Sequence, residues 1–333
     1  MISKNIPSSV LIASPPQLFF SKNDPDDLRL GDLIKPADIE SLPDHNPTVV
    51  ILGYPDDDGI RLSGGRPGAI EAPKTIRQFL YKMTPKMTQK ITVPLLPKNF
   101  SVFDLGDLRH QDELPRRHEN ALAITTYLQA KNIKTITLGG GHDYGYSDAA
   151  GFVKNYLTSG EKPVVINFDA HLDVRPVHHG FNSGTPFYRL LSEFHQQIDF
   201  IEIGLQPQCN SSVHWRWAKD HGAHLFDLQT IEQKGLQSLL DEAIFQKIKK
   251  TTPVFISFDI DALVASEAGG CSQAWMTGLK IAECLKFLSS LYQKSNTRGL
   301  GIYEVSPPLD RDFQTSKTAA LLIHHFLFET GSL

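Results

Sequence analysis

The sequence contains few cysteines, no long apolar run and no strong excess of either charge. Its three cysteines, Cys209, Cys271 and Cys284, have no ligand-like spacing, and a sparse, odd set of this kind is typical of a reducing compartment without disulfides. No apolar run reaches the roughly 18 residues that a membrane-spanning helix needs. No charged-then-apolar leader with a small-residue cleavage site is present either. We therefore expect a cytoplasmic protein that does not enter a membrane.

The charge balance argues against two further classes of partner. The 333 residues carry a formal net charge of −4, with an isoelectric point of about 6.3, so neither nucleic acid nor an anionic membrane surface is an expected partner. Hydrophobic residues make up 41% of the chain and charged residues 21%, which is ordinary for a soluble globular enzyme. The motifs described below indicate instead a small-molecule substrate.

The first 46 residues differ in pattern from the rest of the chain. They contain an acidic patch, Asp24, Asp26 and Asp27, and prolines at positions 7, 15, 16, 25, 36 and 43. We interpret residues 1–46 as an irregular N-terminal extension that wraps the body, and residues 47–333 as a single catalytic domain.

From about residue 48, short apolar runs alternate with longer segments of helical periodicity, which predicts an α/β fold. The runs are apolar on both faces, as in a mostly parallel sheet that helices cover on both sides. Eight such strands could also close into a barrel, but we favour an open sheet. The predicted strands are 48–54, 101–105, 134–138, 163–168, 198–204, 223–226, 253–258 and 298–303. The predicted helices lie near 72–83, 117–131, 144–157, 185–196, 211–221, 235–249, 278–294 and 312–329.

Three polar segments directly follow predicted strands. Residues 139–143 (GGGHD) follow strand 134–138, residues 167–173 (NFDAHLD) leave strand 163–168, and residues 257–261 (SFDID) leave strand 253–258. Ligands of open α/β sheets bind beyond the carboxyl ends of the strands. These segments therefore form the candidate functional site.

The spacing within these segments predicts a metal centre. Alternate residues of an extended chain point the same way, so Asp169, His171 and Asp173 can face one cavity, and Asp259 and Asp261 can join them from another strand. An isolated Asp-x-Asp is usually a solvated turn or a helix cap, but two such motifs after two buried strands favour a shared site. Packed carboxylates repel one another unless cations balance them. Oxygen and nitrogen ligands without sulfur suit Mn²⁺ first, with Fe²⁺, Co²⁺, Ni²⁺ or Zn²⁺ as alternatives.

These motifs resemble those of the ureohydrolases, the family of arginases, agmatinases and formimidoylglutamases. The resemblance extends from about residue 48 and includes residues 64–69 (GGRPGA) and 303–307 (YEVSP). It implies a three-layer α/β/α sandwich around an eight-stranded, mostly parallel sheet, and a homo-oligomer, either a trimer or a hexamer. It also implies two Mn²⁺ ions per chain, with Asp169 and Asp259 as bridging ligands. The other implied ligands are His142 and Asp173 for one ion, and His171 and Asp261 for the other.

The resemblance implies hydrolysis of a C–N bond. Two divalent ions lower the pKa of a shared water and so provide hydroxide at neutral pH. By analogy with the family, Asp173 takes a proton from this hydroxide and relays it to the leaving amine. Glu304 follows a strand end, where its carboxylate can pair with a cationic amidinium or guanidinium group. A surface salt bridge is the alternative role for Glu304.

Within the family, the sequence is closest to the formimidoylglutamases. The stretch that begins at Asn182, Ser183 and Thr185 (182–187, NSGTPF) lacks the histidine that arginases and agmatinases carry there. His178 and His179 lie a few residues earlier and could substitute for it, or could belong to a solvated loop. Arg175 and the segment 204–210 (GLQPQCN) also resemble formimidoylglutamases. The implied reaction is hydrolysis of N-formimidoyl-L-glutamate to formamide and L-glutamate, in histidine degradation.

The charge of this substrate suggests which residues bind it. N-formimidoyl-glutamate has two carboxylates, and a guanidinium group binds a carboxylate through two parallel hydrogen bonds. Arg175 is the first candidate, although pairing with a nearby aspartate is an equal alternative, and Arg61, Arg66 and Arg189 are further candidates. We also assign Asn182, Ser183, Thr185 and Glu304 to substrate binding.

One departure from the family leaves other functions open. Family members often continue Asp-x-Asp with a further Asp-Pro, whereas here Asp261 is followed by 262–265 (ALVA). In the family this Asp-Pro shapes the rim of the site, so its absence can change the substrate scope or the activity. The alternatives are a ureohydrolase that acts on a guanidino substrate, of the arginase, agmatinase or guanidinobutyrase type, and a non-catalytic member that retains its metals.

Overall fold

The computed structural model describes residues 10–43, 49–85, 101–157 and 160–330. All eight predicted strands are present, together with two short strands near the amino terminus. The strands are β1 (Leu11–Ile12), β2 (Lys35–Pro36), β3 (Val49–Gly53), β4 (Val102–Leu108), β5 (Lys134–Leu138), β6 (Val164–Phe168), β7 (Asp199–Leu205), β8 (His224–Asp227), β9 (Pro253–Asp259) and β10 (Asn296–Tyr303).

The helices follow the predicted alternation with the strands. Their bounds are α1 (Leu30–Leu33), α2 (Asp58–Leu62), α3 (Ala72–Leu80), α4 (Leu114–Ala130), α5 (Tyr144–Tyr156), α6 (Pro186–Phe194), α7 (Ser212–Asp220), α8 (Leu228–Lys234), α9 (Ala243–Gln246), α10 (Ala265–Ala268), α11 (Ile281–Lys294) and α12 (Gln314–Glu329). Within the described ranges, no helix is both long and apolar enough to span a membrane.

The ten strands form one open sheet with the order β1-β4-β3-β5-β10-β9-β6-β7-β8, and β2 also pairs with β4. Every pairing is parallel except that of β1 with β4. The order places β5, β10, β9 and β6 side by side in the middle of the sheet, although they are distant in sequence. The carboxyl ends of these central strands therefore meet at one edge, where ligands of open α/β sheets bind.

Helices cover both faces of the sheet, which confirms the predicted three-layer α/β/α architecture. On one face, α3, α8, α11 and α12 pack through residues such as Ile76, Phe287 and Ile323. On the other face, α4, α5, α6 and α7 contribute residues such as Ile124 and Phe152. Strands buried on both sides are expected to be apolar throughout, and all five residues of each of β3, β5 and β6 are buried.

One predicted helix differs from the structure. The single helix predicted for residues 235–249 is wrong, because Leu236–Asp241 forms a 3-10 helix and only Ala243–Gln246 is α-helical. The extended backbone of Glu242 separates the two pieces. Leu236 and Leu239 are both buried, and their spacing of three residues matches the three residues per turn of a 3-10 helix.

The N-terminal extension is partly ordered. Through β1 and β2 it adds two short strands to β4, and the backbone of Leu30 donates a hydrogen bond to the carbonyl of Met83. The proposed domain boundary at residue 46 lies outside the described residues.

Candidate active site

The fold brings the three polar segments together at the carboxyl edge of the sheet. His142 lies between β5 and α5, Asp169 directly follows β6, and Asp259 is the last residue of β9. Glu304 directly follows β10, which lies between β5 and β9. Side chains from four adjacent strands therefore surround one point.

One group of side chains converges on His142. Its Nδ1 atom lies 3.1 Å from Asp169 Oδ2, 3.1 Å from Asp173 Oδ2 and 3.2 Å from Asp259 Oδ2. Its Nε2 atom lies 2.8 Å from Ser257 Oγ, and its Nδ1 atom faces the carboxylates. Nδ1 is buried and has no hydrogen-bond partner among the described residues. A cation surrounded by these four ligand atoms would satisfy all of them.

A second group converges on His171. Its Nδ1 atom lies 3.0 Å from Asp261 Oδ2 and 3.4 Å from Asp169 Oδ1. In each group the potential ligand atoms all lie within 4.8 Å of one another. Asp169 belongs to both groups and offers one oxygen to each, so its position is suited to a bridging ligand.

The electrostatics of the two groups require positive charge. Burial, together with repulsion from Asp261 and Asp169, raises the pKa of Asp259 well above its ordinary value. Burial also raises the pKa of Asp173 and Asp261. Among the described residues, no lysine or arginine forms an ion pair with these carboxylates. Buried charges need a partner or a metal, and the oxygen and nitrogen donors of both groups fit Mn²⁺ or a similar divalent ion.

Asp169 behaves differently from its neighbours. Burial alone would raise its pKa, but contacts with His142 and His171 hold the pKa of this carboxyl below its ordinary value. Its Oδ1 atom also accepts a hydrogen bond of 2.6 Å from the backbone of His171. Of the four carboxylates, Asp169 is therefore the one whose neighbours stabilise its charged form.

Glu304 forms part of the wall of the site. Its Oε1 atom accepts a hydrogen bond of 2.9 Å from the backbone N–H of His142, and burial raises its pKa to about 8. Glu304 and Asp173 have φ angles of 65° and 47°. Left-handed backbone at residues other than glycine is strained, and such strain is concentrated at functional sites.

A polar cleft leads to both groups. It is lined by Ser63, Gly65, His171, Asp173, Arg175, Ser183, Gly184, Cys209, Asp259, Asp261, Ser272, Gln273 and Glu304. Among the described residues, Arg175 is the only lysine or arginine in this lining. Its backbone N–H donates a hydrogen bond to the carbonyl of Gly184, while its side chain is exposed and forms no ion pair within the described ranges. Pairing with an aspartate, the alternative role for Arg175, is therefore not observed.

The other candidate arginines are engaged elsewhere. Arg61 pairs with Asp57 at 3.0 Å, and Arg66 donates hydrogen bonds to the carbonyls of Ser272 and Cys271. The Arg189 guanidinium is stacked between two rings, with its carbon 3.6 Å from the Tyr146 centroid and 3.8 Å from the Phe181 centroid. None of these three arginines lines the cleft.

Of the three residues after Arg175 that we assigned to substrate binding, one lines the cleft and two stabilise the turn beside it. Ser183 lines the cleft, and its Oγ atom lies 2.8 Å from that of Ser63. Asn182 and Thr185 are buried and do not line the cleft. They form a turn in which Asn182 accepts a hydrogen bond from the backbone of Gly184, and the Thr185 hydroxyl donates to the carbonyl of Asn182. The structure thus places only Ser183 of these three where a substrate can contact it directly.

The site contains contributions that the sequence analysis did not assign. Ser63, Gly65, Cys209, Ser272 and Gln273 line the cleft. Gly65 belongs to the 64–69 motif. The sequence pattern identified this motif as part of the family resemblance but did not indicate that it lines the cleft. The amide of Asn210 accepts a hydrogen bond from the backbone of Leu172 and donates one to the carbonyl of Ala170. Asn210 thereby holds the Asp-x-His-x-Asp segment in place.

Comparison with known proteins agrees with this geometry. The model of the Arginase family matches residues 47–329. The formimidoylglutamase of Bacillus subtilis strain 168 is 32% identical over 268 residues, which cover 78% of this chain and 81% of that protein.

Two solved structures have the same fold. A crystal structure of Trypanosoma cruzi formiminoglutamase with Mn²⁺ is 27% identical, with a TM-score of 0.79, and the match covers 91% of this chain and 98% of the other. The structure of formimidoylglutamase from Bacillus subtilis is 29% identical, with a TM-score of 0.78, and covers 92% and 93% of the two chains.

Proposed function

This chain belongs to the arginase family, and we propose that it is a binuclear-manganese hydrolase that cleaves N-formimidoyl-L-glutamate to formamide and L-glutamate. One observation carries the proposal. Two Asp/His groups that share Asp169 lie at the base of a cleft in which Arg175 is the only lysine or arginine among the residues that the structure describes. Such a cleft offers metal chemistry at one end and a partner for a carboxylate at the other.

The proposed metal ligands are the two converging groups. His142, Asp173, Asp169 and Asp259 would hold one ion, and His171 and Asp261 would complete the ligands of the other. Asp169 belongs to both groups, whereas Asp259 belongs to the His142 group, so its proposed bridging role rests on the likeness to the ureohydrolases. When bound, two divalent ions activate water as a nucleophile at neutral pH and polarise the substrate. Relatives at 28% and 32% identity are formimidoylglutamases, and the Trypanosoma cruzi structure contains Mn²⁺, which supports the choice of metal.

The proposed roles of the protein side chains follow from their positions. Asp173 lines the cleft, and its Oδ2 atom faces His142. Its other oxygen can take a proton from the attacking water and pass it to the leaving amine. Glu304 commits Oε1 to the backbone of His142, which leaves Oε2 to accept a hydrogen bond from the formimidoyl nitrogen. Arg175 pairs with a substrate carboxylate, and Ser183 contacts the substrate beside it. Asn182 and Thr185 support that contact by shaping the turn.

Two further proposals concern the oligomeric state and the cellular location of the enzyme. The likeness to the ureohydrolases supports a homo-oligomer, a trimer or a hexamer, and the sparse cysteines support a cytoplasmic location. Light scattering after size-exclusion chromatography tests the first proposal, because a monomer at micromolar concentration contradicts it.

A substrate screen tests the proposed reaction. The Mn²⁺-loaded protein is assayed with formimidoyl-glutamate, arginine, agmatine and guanidinobutyrate. We expect formimidoyl-glutamate to have the highest kcat/KM, because Arg175 lines the cleft and the histidine typical of arginases is absent from 182–187. A clear preference for a guanidino compound would replace the substrate assignment. No turnover of any of the four would favour the non-catalytic alternative.

A further inference from the structure

A buried acid that is not a predicted ligand lies behind Asp169. Glu202 is on β7 and is paired in register with Asn167 on β6, two residues before Asp169. Both side chains are buried, with exposures of 1% for Glu202 and 0% for Asn167. Within the described ranges, Glu202 forms no ion pair with a lysine or arginine and accepts its hydrogen bond from Asn167.

The amide of Asn167 connects the two acids. Its Nδ2 atom lies 2.9 Å from Glu202 Oε2 and 3.3 Å from Asp169 Oδ2. An asparagine amide has two N–H groups, so each acid can receive one. If the amide were flipped, its oxygen would face two carboxylates at once. Glu202 therefore fixes the orientation in which Asn167 donates to Asp169.

The orientation of Asp169 matters because its two oxygens have different tasks. Oδ2 faces His142 Nδ1 at 3.1 Å, and Oδ1 faces His171 Nδ1 at 3.4 Å. Rotation of the carboxylate about its last bond would misdirect both oxygens. The backbone of His171 holds Oδ1, and Asn167 holds Oδ2.

An isolated buried acid is costly for stability, so the hydrogen bond from Asn167 alone is a poor structural reason to keep Glu202 there. We propose that Glu202 and Asn167 are positioning residues that hold the Asp169 carboxylate in the orientation needed to bridge two divalent ions. The inference rests on the bridging role proposed above for Asp169, and it does not depend on which substrate the enzyme cleaves.

Metal titration of the metal-free protein tests this proposal without an activity assay. The variants are Asn167→Leu and Glu202→Leu, which remove the hydrogen bonds, and Glu202→Gln, whose amide oxygen can still accept from Asn167. Loss of a residue that orients a metal ligand typically weakens metal binding about 10- to 100-fold, and we expect this loss of Mn²⁺ affinity from both leucine variants. Glu202→Gln should bind Mn²⁺ nearly as the natural protein does. Electron paramagnetic resonance should show a weakened coupled-Mn²⁺ signal in the leucine variants alone.

A matched control separates positioning from general loss of stability. Thr297 is buried near the amino end of β10, at the opposite edge of the sheet, and its hydroxyl pairs with Ser295 at 2.8 Å. Thr297→Val removes a buried polar group of the same sheet and should leave Mn²⁺ affinity unchanged. If the leucine variants do not fold, Asn167→Ser takes their place in the comparison with Glu202→Gln.

Two results would overturn the inference. Unchanged Mn²⁺ affinity in the Asn167 variant would show that Asp169 needs no such support. Equal losses from Glu202→Gln and Glu202→Leu would show that the charge of Glu202, and not its hydrogen bond, is what matters. Failure of the natural protein to bind Mn²⁺ pairs would instead contradict the proposed function itself.

Discussion

Two sets of buried carboxylates occur in the same sheet, and they differ in what balances their charge. Asp104 on β4 accepts hydrogen bonds from Arg77 Nε at 3.0 Å and Nη2 at 2.9 Å, from the Tyr81 hydroxyl at 2.6 Å and from the backbone of Gly106 at 2.8 Å. Burial alone would raise the pKa of Asp104, but Arg77 reverses this effect and holds it below the ordinary value. Both oxygens are satisfied by the protein.

The carboxylates at the ends of β6 and β9 lack such a partner. The pKa of Asp259 is raised well above its ordinary value by burial and by its acidic neighbours. The Nδ1 atom of His142 faces three carboxylates and, in the part of the chain that the structure describes, has no hydrogen-bond partner. We call Asp104 with its donors Arg77 and Tyr81 the Asp104 set, and the residues that converge on His142 and His171 the Asp/His set. The charge of the Asp104 set is balanced within the protein, whereas the charge of the Asp/His set is balanced only when a cation binds. This difference leads to predictions that separate metal binding from stability.

The largest expected effect is the loss of metal from the Asp/His set. Asp169→Asn and Asp259→Asn each remove a proposed bridging charge, so each should lose at least one Mn²⁺ ion and nearly all turnover. The metal-free fold should persist, because each substitution also removes repulsion among buried carboxylates. Metal analysis after loading and dialysis, together with circular dichroism, provides the measurement. Full occupancy in both variants would contradict the bridging roles.

The opposite result is expected for the Asp104 set. Arg77→Met leaves Asp104 buried without a counter-charge, and breaking a buried ion pair in this way typically costs about 3–5 kcal/mol. Urea denaturation of the metal-free variant should show this loss in the free energy of unfolding. The fraction that remains folded should bind Mn²⁺ with unchanged affinity. A loss of Mn²⁺ affinity without a loss of stability would mean that the two sets are coupled.

The two sets also differ in how well the sequence could predict them. The Asp/His set was predictable, because its members follow buried parallel strands whose carboxyl ends meet at one edge of the sheet. The expected extended backbone is not kept throughout, since Asp261 lies in a 3-10 helix and Asp173 has a φ angle of 47°. The partner of Asp104 could not be found this way. Arg77 lies 27 residues earlier, on α3, and only long-range packing brings the two together.

The same distinction applies to the fold. The eight main strands were predictable from their apolar runs. The order that puts β10 between β5 and β9 depends on contacts between residues that are distant in sequence. Gly299 pairs with Thr135, 164 positions earlier, and Asn296 pairs with Pro253, 43 positions earlier. The two-residue strands β1 and β2 were missed because they are too short to show a periodic pattern. Glu202 was missed although a signal existed, since a glutamate in the middle of an apolar strand is unusual.

A smaller effect is expected from a change of Arg175, whose charged side chain is exposed to solvent in the cleft. Arg175→Ala should raise KM for formimidoyl-glutamate and leave the metal content unchanged. A charge-assisted hydrogen bond contributes about 1.5–3 kcal/mol, or about a 10- to 150-fold change in kcat/KM. The exposure of Arg175 favours the lower end of this range. Arg175→Lys should recover only part, because an ammonium group cannot form two parallel hydrogen bonds with a carboxylate.

Agmatine serves as the control substrate for Arg175, because it has no carboxylate. Its low turnover should change little in Arg175→Ala. Arg66→Ala provides the matched protein control, since the Arg66 side chain donates hydrogen bonds to the carbonyls of Ser272 and Cys271 and does not line the cleft. If Arg175→Ala instead loses metal or unfolds, Arg175 belongs with the structural arginines, and the substrate assignment loses its main support.

The smallest expected effect concerns a third buried carboxylate, Asp148. It is intermediate between the Asp104 set, which the protein satisfies, and the Asp/His set, which a cation satisfies. Four hydroxyl groups donate to it, including Tyr54 and Tyr303 at 2.6 Å each. The Tyr303 ring stacks on His142 with centroids 4.9 Å apart, whereas Tyr54 stacks on Tyr144. Asp148 is therefore satisfied by the protein, as Asp104 is, yet one of its donors contacts a proposed metal ligand.

A pair of conservative variants measures this connection. Tyr54→Phe and Tyr303→Phe each remove one hydrogen bond to the same buried carboxylate, and each should lower the free energy of unfolding by about 1–3 kcal/mol. Only Tyr303→Phe frees the ring that supports His142, so it alone should weaken Mn²⁺ affinity, by less than the roughly tenfold lower limit for groups that bond directly to a ligand. Calorimetric titration with Mn²⁺ and urea denaturation give the two quantities. Equal losses of affinity in both variants would mean that Asp148 influences the metal centre through its whole hydroxyl network and not through the Tyr303 ring.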